Sequence, residues 1–66
     1  MNISKQKIQY LMAGKKMTMT SLAAASGMSR QQLSVIVAKE TCTPVSAGKI
    51  AEGLGVPVTE IVKEES

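Results

Sequence analysis

The chain has 66 residues, 44% of them hydrophobic, one aromatic side chain, one cysteine, no histidine and a net charge of +3. That length holds one domain, residues 1–66, near the lower limit for a core without staples. The lone Cys42 excludes an internal disulfide framework, and no apolar run approaches the ~18–20 residues of a membrane span, so a cytoplasmic protein is expected.

Charge is divided unevenly. Residues 1–39 carry Lys5, Lys7, Lys15, Lys16, Arg30 and Lys39 and no acid, whereas residues 40–66 set Lys49 and Lys63 against five glutamates. One end of the molecule is expected to attract phosphate and the other to repel it. Without histidine, and with glutamates that do not cluster beside a partner, no catalytic residue, metal ligand or cofactor site is assigned, and the chain is not read as an enzyme. "AGKIAEGLG" lacks the spacing of a phosphate-binding loop.

The elements read as five short helices and no strands. The first, about 4–13, starts at the N-cap Ser4 and places Ile8, Leu11 and Met12 on one face; Gly14 and two lysines are expected to end it. Thr18 caps a second helix, 18–26, which contains Leu22 and Ala23 and stops near Ser26-Gly27. Ser29 caps a third, 29–39, with Leu33, Ile36, Val37 and Glu40 on one side and Gln31, Ser34, Val35 and Ala38 on the other. Thr43-Pro44 starts a fourth, 44–54, followed by Gly55. A last helix over 58–63 follows Pro57, with Thr59 as its cap.

The connection Ser26-Gly27-Met28 is too short for a hairpin of long helices and suits two helices that cross steeply. Such a crossing needs a small residue at the close approach (Ala23) and one tolerant of positive φ at the turn (Gly27). It also needs an apolar pin (Met28) and side chains to fill the angle (Leu22, Leu33, Ile36). All are present at consistent spacing.

Together "MTMTSLAAASGMSRQQLSVI" and "TPVSAGKIAEGLGVPVTEIV" resemble the phage-repressor and Cro-type helix-turn-helix family, also called the XRE family, over about Ile8 to Val62. The resemblance implies an all-α, compact five-helix lambda-repressor-like DNA-binding domain. It places the third helix in the DNA major groove, with Ser29, Arg30, Gln31, Ser34 and Val35 toward the bases, Val35 and Ala38 reading either as contacts to thymine methyls or simply as tolerated helix residues. Arginine can contact guanine O6/N7 and glutamine adenine N6/N7 in bidentate fashion, and Gln31 projects furthest from the buried side. Phosphates are expected at the N-termini of helices two and four, through Thr18, Thr43, Ser46 and Lys49. Thr18 and Thr43 also read as plain helix caps, and Lys49 as a solvated lysine.

The chain departs from the pattern at several positions. Met19 stands where many members carry a phosphate-binding glutamine, and Val45 where lysine is frequent. Lys16 stands where glycine often ends the first helix, and Met12 and Val37 where several relatives form a buried arginine–glutamate pair. An apolar pair there avoids the desolvation cost of buried ions, and direct contact between the two is expected.

Among the remaining residues, Cys42 reads as a packed or partly exposed thiol. The five methionines read as fillers of an aromatic-poor core, and Tyr10 as a cover for the core edge, with contact to the DNA backbone phosphate as its other reading. Val56, Val58, Ile61 and Val62 can form a dimer surface or pack internally. Two function classes fit. One is a transcriptional regulator, Cro- or repressor-like, binding a palindromic double-stranded operator as a homodimer, with no membrane or small-molecule substrate. The other is a protein-interaction module, an antitoxin or anti-repressor, on the same scaffold. The acid-free first 39 residues and the polar start of the third helix favour DNA.

Overall fold

The computed structural model describes residues 1–63. Four α-helices account for most of them: α1 (Lys5–Lys15), α2 (Met19–Ser26), α3 (Arg30–Lys39) and α4 (Pro44–Leu54). A single 3-10 turn, Val58–Glu60, follows α4.

Each helix begins where a hydroxyl can satisfy an otherwise unbonded backbone N–H. Ser4 Oγ accepts from the Lys7 nitrogen at 3.1 Å, and Ser29 Oγ from the Gln32 nitrogen at 3.1 Å. Thr43 Oγ1 accepts from the Ser46 nitrogen at 3.2 Å, with Pro44 in the first turn. Thr18 is more elaborate. Its Oγ1 accepts from the Ser21 nitrogen at 3.1 Å while Ser21 Oγ accepts from the Thr18 nitrogen at 2.8 Å, a capping box with serine in the usual glutamate position.

Three helix ends share one design. The residue after the helix adopts the left-handed conformation, and an apolar residue follows it. At Gly27 (φ 71°), Met28 N–H reaches back to the Ala23 carbonyl at 3.0 Å; past Gly55 (φ 71°), Val56 N–H reaches Ala51 at 3.0 Å. At the end of α1 the left-handed residue is Lys16 (φ 55°), not Gly14. The expected stop at Gly14 is therefore corrected: α1 runs through it to Lys15, and Met17 N–H bonds to the Met12 carbonyl at 2.9 Å. The apolar contact that locks such a cap needs Met17 two residues past the helix, and this outweighs the local preference for glycine.

The core contains no aromatic side chain. Ile8, Leu22, Leu33, Ile50, Leu54 and Ile61 are fully buried, with Met12, Ala23, Val37, Ala47 and Ala51 beside them. Met12 and Val37 lie in the same cluster, as their apolar character requires. Against the expectation that all five methionines fill core gaps, Met1 is 46% exposed.

At the crossing of α2 and α4 the backbones come close. A Cβ on Gly53 would overlap Ser26 Oγ and lie 3.1 Å from the Ser26 nitrogen and 3.2 Å from Leu22 Cδ1. Ser26 Oγ is buried without a hydrogen-bond partner among the described residues.

The chain termini differ most from the sequence reading. Residues 1–4 run between residues 40–42 on one side and 61–63 on the other, with antiparallel bridges Asn2–Thr41 and Ile3–Val62. Ile3 N–H donates to the Glu40 carbonyl at 3.0 Å, Ser4 N–H to Ile61 at 2.7 Å, and Lys63 N–H to Asn2 at 3.1 Å. Ile3 is fully buried in this clasp.

The fifth helix expected over 58–63 is thus a correction. Val58–Glu60 makes a single turn that closes at Ile61, Thr59 caps nothing, and Val62 then pairs with Ile3 in an antiparallel bridge. An isolated six-residue helix is marginal, whereas pairing with residues 1–3 satisfies the backbone groups directly. Ile61 is fully buried and Val56 and Val58 pack against the core, so this segment takes the internal role rather than that of a free dimer surface.

Cys42 is half-buried in the clasp. Desolvation pushes its thiol pKa up, and the nearby positive N-terminus, which donates to the Cys42 carbonyl at 2.9 Å, partly counters this. No helix among the described residues is long and apolar enough to cross a membrane.

Candidate nucleic-acid interface

The turn after α2 fixes how α3 is presented. Gly27 takes the left-handed cap, Met28 is half-buried against the core, and Ser29 starts the next helix. Leu33 and Val37 then face inward and Ile36 is partly covered. At 3.6 residues per turn, Gln31, Val35 and Ala38 lie within about 40° of the direction opposite Leu33. Arg30, Gln31, Ser34, Val35 and Ala38 are all exposed, and Val35 retains 46% of its surface.

Gln31 and Val35 therefore share the outer strip of α3, with Ser34 and the first-turn Arg30 exposed on one flank of it. Ser29 is exposed at its head, but its Oγ already accepts from Gln32 N–H, which leaves the hydroxyl proton free to donate outward. Gln32 and Lys39 are also exposed, on the flank away from Ser34. Their spacing of seven residues is the sequence signal for that second row.

The helix starts differ in what they can offer an anion. At α2 the cap takes up Ser21 N–H and leaves Met19 and Thr20 N–H without a partner among the described residues. At α4 Pro44 has no N–H and Ser46 N–H is taken up by Thr43, which leaves Val45 N–H alone. The start of α2 is thus the richer donor site, and Thr20, exposed with its hydroxyl in the first turn, is a residue the sequence reading passed over. Thr18 and Thr43 are exposed caps, Ser46 is half-buried and accepts from the Thr43 hydroxyl at 3.1 Å, and Lys49 is exposed on α4.

The cations do not form one wall. Lys7 Nζ donates to the Val62 carbonyl at 3.1 Å and ties α1 to the C-terminal segment. Lys63 pairs with Glu40 at 3.8 Å. Lys15 Nζ lies 3.7 Å from where a Gly55 Cβ would sit, at the far end of α4. Lys5, Lys15, Lys16, Arg30, Lys39 and Lys49 are exposed without an ion pair among the described residues.

One expectation fails on the surface. Tyr10 does not cover the core edge: it is 67% exposed, and its hydroxyl accepts from Gln6 Nε2 at 2.9 Å. The burial available to α1 is already filled by Ile8 and Met12, which point the other way. Val45, the apolar residue that stands where lysine is frequent, is 70% exposed in the first turn of α4.

Comparison with known proteins agrees with this arrangement. The family model for the Cro/C1-type HTH DNA-binding domain matches residues 7–65. No curated protein and no solved structure matches the chain. A short α2–α3 turn at Gly27, exposed polar residues on α3 and a match across nearly the whole sequence converge: the chain belongs to the Cro/C1-type helix-turn-helix family of DNA-binding domains.

Proposed function

We infer that the protein is a sequence-specific transcriptional regulator that places α3 in the major groove of operator DNA. The observation that carries this reading is the exposed group Arg30, Gln31, Ser34 and Val35, held away from the core by buried Leu33 and Val37. Gln31 is the central reader, through a bidentate contact to adenine, and Arg30 reaches guanine or a flanking phosphate. Val35 packs on a thymine methyl. Ser29 and Ser34 supply shorter polar contacts.

Thr18 and the open N–H groups of α2 hold one phosphate, and Thr43, Ser46 and Lys49 hold another at α4. One copy inserts one recognition helix. Useful specificity calls for a homodimer on a palindrome whose half-sites lie ~34 Å apart, and repression then follows by occluding the polymerase.

Selection of bound sequences from a random DNA pool tests the reading. A palindromic consensus is expected, and Gln31→Ala should relax base preference at one position by ~1–3 kcal/mol, whereas Lys49→Ala should weaken all sequences alike. An unchanged preference in Gln31→Ala would remove it from the readers. The exposed Val45 favours a second reading, a protein-interaction module such as an antitoxin or anti-repressor. Negligible DNA affinity at low salt would select it.

A further inference from the structure

A cavity of about 240 Å³ opens between α1 and α3. Lys5 and Gln9, one turn apart on α1, line one side, and Ser34 on α3 lines another. Buried Met12 and Val37 supply an apolar floor, and Met19, the first residue of α2, also borders the space. Two of these residues belong to the proposed DNA surface. Ser34 is one of the base readers, and the Met19 N–H is one of the two open donors at the start of α2.

A DNA strand that passes from the α2 start to the edge of α3 therefore crosses this cavity. The Met19 side chain offers that strand no hydrogen bond, so side-chain donors must come from elsewhere. The lining contains a lysine and no acid. Glu40 meets Lys5 at the backbone, where its carboxylate accepts the Lys5 N–H at 3.3 Å, and it is paired with Lys63. An apolar floor below a cationic and amide rim matches a sugar–phosphate unit, which presents a carbon-rich ring beside anionic oxygens.

The geometry points to α1 as a further DNA-contacting element. Lys5 Nζ and the Gln9 side-chain amide hold the phosphate of the strand bordering the groove that α3 enters, and its sugar rests over Met12 and Val37. This rests on the DNA-binding reading above. It adds a third protein wall to the site, on a helix outside the helix-turn-helix.

The test titrates the selected DNA at several salt concentrations with wild-type protein, Lys5→Ala, Lys5→Arg, Gln9→Ala and, as a control of equal charge, Lys15→Ala. Lys5→Ala should bind roughly threefold to tenfold more weakly and lose about one unit of salt slope, with base preference unchanged. Lys5→Arg should keep the slope, which separates loss of the contact from loss of the α1 start. Gln9→Ala should weaken binding at unchanged slope, and Lys15→Ala should behave as wild type. A wild-type slope in Lys5→Ala, or equal losses at Lys5 and Lys15, would overturn the proposal while leaving the DNA reading intact. Absence of salt-dependent binding by wild-type protein would instead defeat the DNA reading, and this inference with it.

Discussion

The two seams of the molecule are built on opposite terms. Between α2 and α4 the helices touch so closely that Gly53 has no room for a Cβ against Ser26 and Leu22. Between α1 and α3 the packing leaves a cavity of about 240 Å³, floored by Met12 and Val37. The first seam sets the angle at which α2 delivers the turn and hence the attitude of α3. The second lies beside the surface offered to DNA, where loose fit costs less and open space has a use. Rigidity is placed behind the recognition helix and accommodation beside it.

Substitutions can break or sharpen that contrast. The largest effect is expected at Leu22, fully buried at the tight seam: Leu22→Ala should cost ~3–5 kcal/mol in chemical denaturation, because rigid neighbours cannot close the hole. A loss well under that would show the seam to be softer than its spacing indicates.

Gly53→Ala comes next. An exposed helical glycine gains about 1 kcal/mol on mutation to alanine. Here the new methyl meets Ser26 backbone and hydroxyl, and a net destabilisation of ~1–3 kcal/mol is expected. A rise in stability would mean that α2 and α4 separate freely.

Ser26→Ala should act in the other direction. It removes a buried hydroxyl without a partner and improves helix propensity, for a gain of up to ~1 kcal/mol in thermal or denaturant unfolding. The double variant with Gly53→Ala should recover part of the glycine loss, since the hydroxyl is the first atom the methyl meets.

The smallest effect belongs to the open seam. Val37→Ile adds a methylene beside existing space and should change stability by less than about 0.5 kcal/mol. A penalty comparable to Gly53→Ala would erase the distinction between the seams.

Much of the candidate site was legible because its signals are local. Ser29 declares the start of α3 by the hydrogen bond it makes three residues on, and the 3.6-residue period of Leu33 and Val37 fixes which residues point out. Gln31, Ser34 and Val35 follow from that period alone. Thr20 was not legible, because the number of open N–H groups at each helix start depends on how each cap is closed. The tie from Lys7 Nζ to the Val62 carbonyl was not legible either, since that partner is remote in sequence.

The sequence by itself determined the four α-helices, the caps that start them and the short turn at Gly27, since each depends on groups within a few residues of one another. Only the tertiary structure decided the rest. Ile3 became core and residues 61–63 became its backbone partner instead of a helix because their hydrogen bonds join segments about forty to sixty residues apart. Tyr10 was left outside because Ile8 and Met12 had already filled the face that α1 turns inward. The cavity beside α3 exists because side chains from three helices fail to meet there. Burial and voids are properties of several segments at once, and no local pattern encodes them.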